Sequence, residues 1–236
     1  MIALAHLSDA PPVGGSLELL KRQGPVDISG GEPLVAISTC HRIIAQPQYA
    51  QSGLKHAETI VRVRQSVKAR LERAASLLPR GATLIVLDGW RSAALQQELY
   101  DYFNAKLPAS VDRENYVFNP LRIGSAKSYP TDAAPHRTGG AVDVVLGDRD
   151  GKALPMGAGY DEMTLLARTV AFDEADHGLS AVKAQSFRSR RRTLMHVMTS
   201  AGFSNYPEEY WHYDFGNSFW RFYSGISGDG KFGTVE

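Results

Sequence analysis

Two short segments far apart in the chain have to meet in space before either makes chemical sense, and that requirement constrains the fold more than any other feature. One is His136-Arg137-Thr138-Gly139-Gly140-Ala141-Val142-Asp143; the other is Glu209-Tyr210-Trp211-His212. Together they offer two imidazoles, one carboxylate ligand and a second, spare carboxylate. A structural zinc site is closed by four protein ligands, whereas a catalytic one keeps three and leaves a position for water. With His136, Asp143 and His212 as ligands, one Zn2+ per chain is expected, and Glu209 is left free to take a proton from that water. The chain has a single cysteine, Cys40, so a cysteine knuckle is excluded and any metal must use His and carboxylate groups.

The two glycines decide whether the first segment can work. His136 and Asp143 would point to opposite faces of a straight strand. Gly139-Gly140 lets the backbone turn, so that His136 can fold back over the strand that presents Asp143. The second segment follows Pro207, which favours a loop entering a strand, with His212 on the strand and Glu209 at its mouth. Each segment also has a plainer reading, a surface His beside a turn-capping Asp and an aromatic edge strand with an incidental His. The pair together favours metal.

Around these segments the periodicities sketch an α+β chain. Apolar residues from Val61 to Leu78 recur at helical spacing, predicting an amphipathic helix over 60–78 that Pro79 and Gly81 end. Thr83–Leu87 reads as a buried strand, and Ser92 as the cap of a helix over 93–104. Gly140–Leu146 reads as a strand on which Asp143 shares a face with Ala141 and Val145. Helices are expected over 161–171, capped by Asp161, and over 188–201, ended by Gly202. Tyr210–Phe215 reads as the last core strand, with a short strand near Leu34–Ile37. Residues 105–135 read as a long loop. The 236 residues, 43% hydrophobic, suffice for one core, so a single domain over 1–236 is expected, with 1–50 a largely irregular N-terminal extension.

Arg91 follows Asp88-Gly89-Trp90 at the end of a predicted strand. An arginine there can stabilise a developing oxyanion with Asp88 orienting it; the same residues also read as a structural ion pair. The basic cluster Arg188, Arg190, Arg191 and Arg192 reads as a solvated helix face. His6, His41, His56, His177 and His196 have no matched partners. A formal charge of +1 gives no sign of a nucleic-acid or membrane-surface partner. No apolar run approaches bilayer length and the N-terminus lacks a basic start, so a cytoplasmic location is expected.

These pieces, in this order, resemble the VanX-type D-alanyl-D-alanine dipeptidases, within the zinc D,D-peptidases and LAS-type amidases. The resemblance spans about residues 55–235. It rests on His136…Asp143, Glu209…His212, Asp88-Gly89-Trp90-Arg91 and Met156-Gly157-Ala158-Gly159-Tyr160-Asp161. It implies a small, mainly antiparallel sheet flanked by helices, with zinc in a central cleft. It further implies Glu209 as general base and then acid, Arg91 as stabiliser of the tetrahedral intermediate, and Asp161 as partner of the dipeptide ammonium. Asp88, Trp90 and Trp211 would surround these groups. Ala134 stands where the family has a substrate-binding Ser. The family's N-terminal substrate-contacting tyrosine has no secure counterpart, Tyr49 being a weak candidate. The expected activity is zinc-dependent hydrolysis of D-alanyl-D-alanine or a related short dipeptide. The neighbouring readings are a D,D-carboxypeptidase or peptidoglycan endopeptidase with the same centre, and a zinc-stabilised binding protein without catalysis.

Overall fold

The most apolar, β-branched runs of the chain become its central strands. In the computed structural model, which describes residues 31–40, 42–106, 134–162, 164–173, 178–226 and 232–235, Thr83–Asp88 (β4) and Ala141–Gly147 (β5) are buried along their whole length. They pair antiparallel at the centre of a five-stranded sheet. Ile43–Ala45 (β2) lies parallel to β4 on one side. His212–Asp214 (β7) lies antiparallel to β5 on the other, and Ser204–Asn205 (β6) completes that edge. Leu34–Ala36 (β1) and Arg62–Arg64 (β3) form a separate antiparallel pair. The fold is thus mixed α+β with a mainly antiparallel sheet. Its helices are Gln48–Gln51 (α1), Gln65–Leu77 (α2), Ala93–Lys106 (α3), Ala181–Ser200 (α4) and Ser218–Ser224 (α5). Buried Val67 and Leu71 of α2 and Leu194 and Met198 of α4 pack into the same core as Leu84, Val86, Val142 and Val144 of the sheet. Each such fully buried aliphatic stabilises the fold by about 1.5–3 kcal/mol.

Three expectations from the sequence need correction. The helix expected over 60–78 begins only at Gln65. Val61-Arg62-Val63-Arg64 also alternates with period two, and tertiary bonds select that reading: Ile37 N–H donates to the Val61 carbonyl and Trp90 N–H to that of Arg62. The helix expected over 161–171 is replaced by turns and a short 3-10 segment, Leu165–Ala167. Asp161 sits at φ 57°, not the extended backbone of an N-cap. The carbonyls of Leu166 and Arg168 turn instead to the guanidinium of Arg191, and that of Ala167 to Tyr210 N–H. Arg191 is therefore the third correction. It is 1% exposed rather than part of a solvated face, and its Nε donates to the Met156 carbonyl at 2.8 Å.

Two helix-end expectations stand. Ser92 Oγ accepts from Leu95 N–H at the start of α3. Helix α4 begins earlier than expected, capped by Ser180, and ends where Gly202 and Phe203 N–H groups return to Thr199 and Met198 carbonyls. Within the N-terminal stretch expected to be irregular, the described residues carry β1, β2 and α1. Residues 1–30, most of the 105–135 loop, His6, His41 and His177 lie outside the described residues. No described helix is long and apolar enough to cross a membrane.

Candidate metal centre

The antiparallel register of β5 and β7 sets Asp143 directly opposite His212. Residues opposite one another in such a ladder project to the same face. On the other side of β5, a bulge after Val86 advances β4 by one residue, so that Asp88 rather than Leu87 stands opposite Asp143. The three side chains form a row across the sheet.

His136 arrives from outside that row. It lies in a 3-10 turn, Pro135–Thr138, closed by Gly139 at φ 72°, a conformation glycine adopts without steric cost. Gly140 serves differently, by close approach: a Cβ there would fall 2.5 Å from the Phe215 carbonyl oxygen. The turn is tied down by Arg64, whose Nε donates to the Thr138 carbonyl at 2.8 Å, and by Arg91 N–H, which donates to that of His136 at 3.2 Å.

The result is a triangle of ligand atoms. Nε2 of His136 is 3.2 Å from Nδ1 of His212 and 3.4 Å from Oδ1 of Asp143, and the last two atoms are 3.2 Å apart. All three residues are buried. The outward ring nitrogens show which way the protons lie. Nδ1 of His136 is 2.6 Å from the Gly89 carbonyl, and Nε2 of His212 is 3.1 Å from Oδ2 of Asp214. Both neighbours accept, so both outward nitrogens donate and each ring turns its other nitrogen inward. Burial would lower His212, but the charges of Asp214 and Asp143 override it and raise it well above the usual imidazole range. Two ring nitrogens and a carboxylate oxygen therefore converge on one point. Among the described residues Oδ1 of Asp143 has no hydrogen-bond partner.

Converging ring nitrogens and a carboxylate oxygen form a donor set for a cation, which would displace any proton shared between them. The spacing fits such a cation: four-coordinate zinc with bonds of about 2.0–2.1 Å sets tetrahedral ligand atoms about 3.3–3.4 Å apart. His136, Asp143 and His212 are the group among the described residues that could hold a metal ion. Glu209 falls outside that group, its carboxylate 3.8 Å from Nδ1 of His212.

Burial dominates the electrostatics. It pushes the Glu209 carboxyl up to about 7, against the opposing pull of His212. Burial would also raise Asp143, but the two imidazoles override it and hold it well below the usual carboxylate range. Asp161 is raised well above that range by burial and by the nearby Asp143 charge. The hydroxyls of Tyr49 and Tyr160 are pushed up by burial and stay protonated.

Arg91 lies beside the triangle. Its Nε donates to Oδ2 of Asp88 at 2.6 Å, and its Nη2 to Tyr49 at 3.2 Å and to Oδ2 of Asp143 at 3.3 Å. Trp211 packs edge-on against Tyr160 and Tyr210, and among the described residues its indole N–H makes no hydrogen bond. Trp90 contributes mainly its backbone N–H, bonded to Arg62; its indole N–H has no partner. Tyr49, Tyr160 and Asp161 also line one wall of a ≈ 660 Å³ cavity whose other wall includes Leu54, Leu99 and Phe103.

Sequence reasoning overlooked three contributors. Asp214, two residues after His212 on a strand, shares its face, a spacing that could have been read as an imidazole with its orienting carboxylate. Tyr160 stands inside the Met156–Asp161 segment, where its ring was noticed and its hydroxyl was not. The Gly89 carbonyl left no signal, because backbone acceptors have none.

A sheet that brings two imidazoles and a carboxylate to one buried point, with a further carboxylate beside them, defines a candidate metal-dependent hydrolase. The sequence profile of the Peptidase M15 family, described as D-ala-D-ala dipeptidase, matches residues 48–224. The chain belongs to this peptidase family. A D-alanyl-D-alanine dipeptidase of Synechocystis sp. is 27% identical over 209 residues, covering 80% of this chain and 84% of that protein. One from Enterococcus faecium is 30% identical over 140 residues, covering 57% and 62%. One from Escherichia coli K12 is 32% identical over 84 residues, covering 36% and 39%.

Proposed function

We propose that the chain is a zinc-dependent dipeptidase that hydrolyses D-alanyl-D-alanine or a related short dipeptide. The observation that carries this reading is the set of three inward-facing ligand atoms with Glu209 beside it, in a member of a D-Ala-D-Ala dipeptidase family. His136, Asp143 and His212 would hold the ion. Zinc supplies Lewis acidity, making water nucleophilic at neutral pH and polarising a carbonyl.

The remaining steps belong to the protein. Glu209, raised to about 7, is poised to accept a proton from the attacking water and return it to the leaving amine. Arg91 is held by Asp88 and Tyr49 beside the triangle, where its guanidinium can meet the negative charge that builds on the carbonyl oxygen. Asp161 regains its charge beside a cation, which suits the free ammonium of a dipeptide and explains a preference for very short substrates. Burial of the aromatic walls excludes water and strengthens each of these interactions. At Ala134 a methyl supplies no hydroxyl to the substrate, so dipeptides besides D-alanyl-D-alanine belong in any substrate screen.

The test couples metal analysis to hydrolysis of a D- and L-dipeptide panel, with amino-blocked and longer peptides included. One zinc per chain and turnover only of free dipeptides are expected. Turnover of blocked or longer peptides would favour a carboxypeptidase or endopeptidase, and bound zinc with no turnover a binding protein.

A further inference from the structure

We infer that Tyr160 is a positioning residue for the metal site: its hydroxyl locks the Asp143 carboxylate so that Oδ1 alone faces the two imidazoles. The inference rests on the metal-site reading above and extends it to a residue outside the ligand set.

The two oxygens of Asp143 have opposite surroundings. Oδ2 takes the Tyr160 hydroxyl at 2.7 Å and Nη2 of Arg91 at 3.3 Å. Oδ1 is buried, takes no hydrogen bond among the described residues, and stands 3.2 and 3.4 Å from the inward nitrogens of His212 and His136. The terminal torsion of an aspartate is soft, with no sharp staggered wells. The strand therefore fixes where the carboxylate is but not how it is turned. Something must hold it, and Tyr160 makes the shorter of the two contacts.

Tyr160 is itself fixed. Its ring meets that of Trp211 edge-on at 5.6 Å and that of Tyr49 at 5.7 Å. A phenol has one proton. Given to Asp143, it leaves the Tyr160 oxygen to accept from Tyr49 at 2.9 Å, while Tyr49 accepts from Nη2 of Arg91 at 3.2 Å. Arg91, Tyr49, Tyr160 and Asp143 thus close a ring of hydrogen bonds. Partners of this kind that orient a ligand are worth about 10–100-fold in metal affinity.

The experiment measures zinc affinity of the full chain by competition with a chromogenic chelator, for wild type, Tyr160→Phe, Tyr210→Phe and Asp143→Ala. Tyr210 is the control for general packing, because its buried hydroxyl donates to the Ala158 carbonyl at 2.9 Å and not to a ligand. Tyr160→Phe keeps the ring and is expected to weaken zinc binding about 10–100-fold, with Tyr210→Phe near wild type. Thermal unfolding of the metal-free forms separates folding from affinity, and similar midpoints for the two tyrosine variants are expected. Wild-type affinity in Tyr160→Phe, or an equal loss in Tyr210→Phe, overturns the inference while Asp143-dependent zinc binding leaves the metal-site reading intact. A wild-type chain that binds no zinc, or whose affinity survives Asp143→Ala, overturns that reading and this inference with it.

Discussion

Asp143 and His212 are cross-strand partners on β5 and β7, and their ligand atoms stand 3.2 Å apart. The backbone ladder, not a loop, sets that distance, so this half of the site is as rigid as the sheet. His136 joins from a turn pinned by Arg64 and Arg91. A cation bound between these preformed ligands would add its binding energy to folding energy.

Zinc addition should consequently raise the unfolding temperature of metal-free protein. At free zinc 100 times the dissociation constant the gain is about 2.7 kcal/mol, or about 5–11 °C for a chain of this size. Differential scanning calorimetry across a zinc titration reads the shift, and an unmoved midpoint would count against a metal site in this triangle.

Asp214→Asn should weaken the metal without disturbing the sheet. Asp214 accepts from Nε2 of His212 at 3.1 Å and is held by Asn217 Nδ2 at 2.6 Å. Losing its charge weakens the acceptor that holds the proton on Nε2 of His212 and turns Nδ1 inward. A fall of about 10–100-fold in zinc affinity is expected, read by chelator competition; unchanged affinity would mean that the ring is oriented by packing alone.

Glu209→Gln should separate binding from chemistry. The carboxylate lies outside the ligand group, so zinc affinity should stay near wild type while kcat falls by about 10²–10⁴. Steady-state kinetics beside metal analysis tests both halves. A variant that keeps its turnover would require a different base.

The pH profile should carry the same residue's signature. Burial raises Glu209 to about 7. A base works only when unprotonated, so kcat/KM should climb as pH rises through that region and fall about tenfold per unit below it. A bound cation attracts the carboxylate's charge and draws the limb downward, which places it at or below about pH 7. A limb well above 7, or one unaltered in Glu209→Gln residual activity, would assign it to another group.

The legible part of the site was the part written in side chains at fixed spacing. His136, Asp143, Glu209 and His212 stood out because the two segments together favour metal over the plainer reading of either, and the structure gathers His136, Asp143 and His212 at one point. The illegible part was written in the backbone. Nothing in Val86-Leu87-Asp88 marks the bulge that turns Asp88 toward Asp143. Nor does Val61-Arg62-Val63-Arg64, which fits both periods, reveal that β1 waits to pair with it. The helix expected from Asp161 failed because tertiary partners claimed its carbonyls, a competition that local propensity does not register.

That competition centres on Arg191, which gives the strongest stability prediction. Its guanidinium donates to the carbonyls of Met156, Leu166 and Arg168, at 2.8, 2.7 and 2.6 Å, and lies over the rings of Tyr210 and Phe172. Desolvation draws its pKa down to about 10, still well above neutrality, so it stays a cation at pH 7. Leucine at this position would fill much of the space but take these donors from three carbonyls, that of Met156 buried and those of Leu166 and Arg168 partly so. Each orphaned acceptor costs about 1–3 kcal/mol, and Arg191→Leu is expected to destabilise the fold by about 3–5 kcal/mol in all. The unfolding midpoint should drop by about 6–20 °C. The segment 156–168 should lose amide-exchange protection first, because it borrows its hydrogen bonds from α4. Since that segment carries Tyr160 and Asp161, kinetics at low temperature should show KM rising before kcat falls. A variant with wild-type stability would mean that the 161–171 segment holds its shape without the arginine.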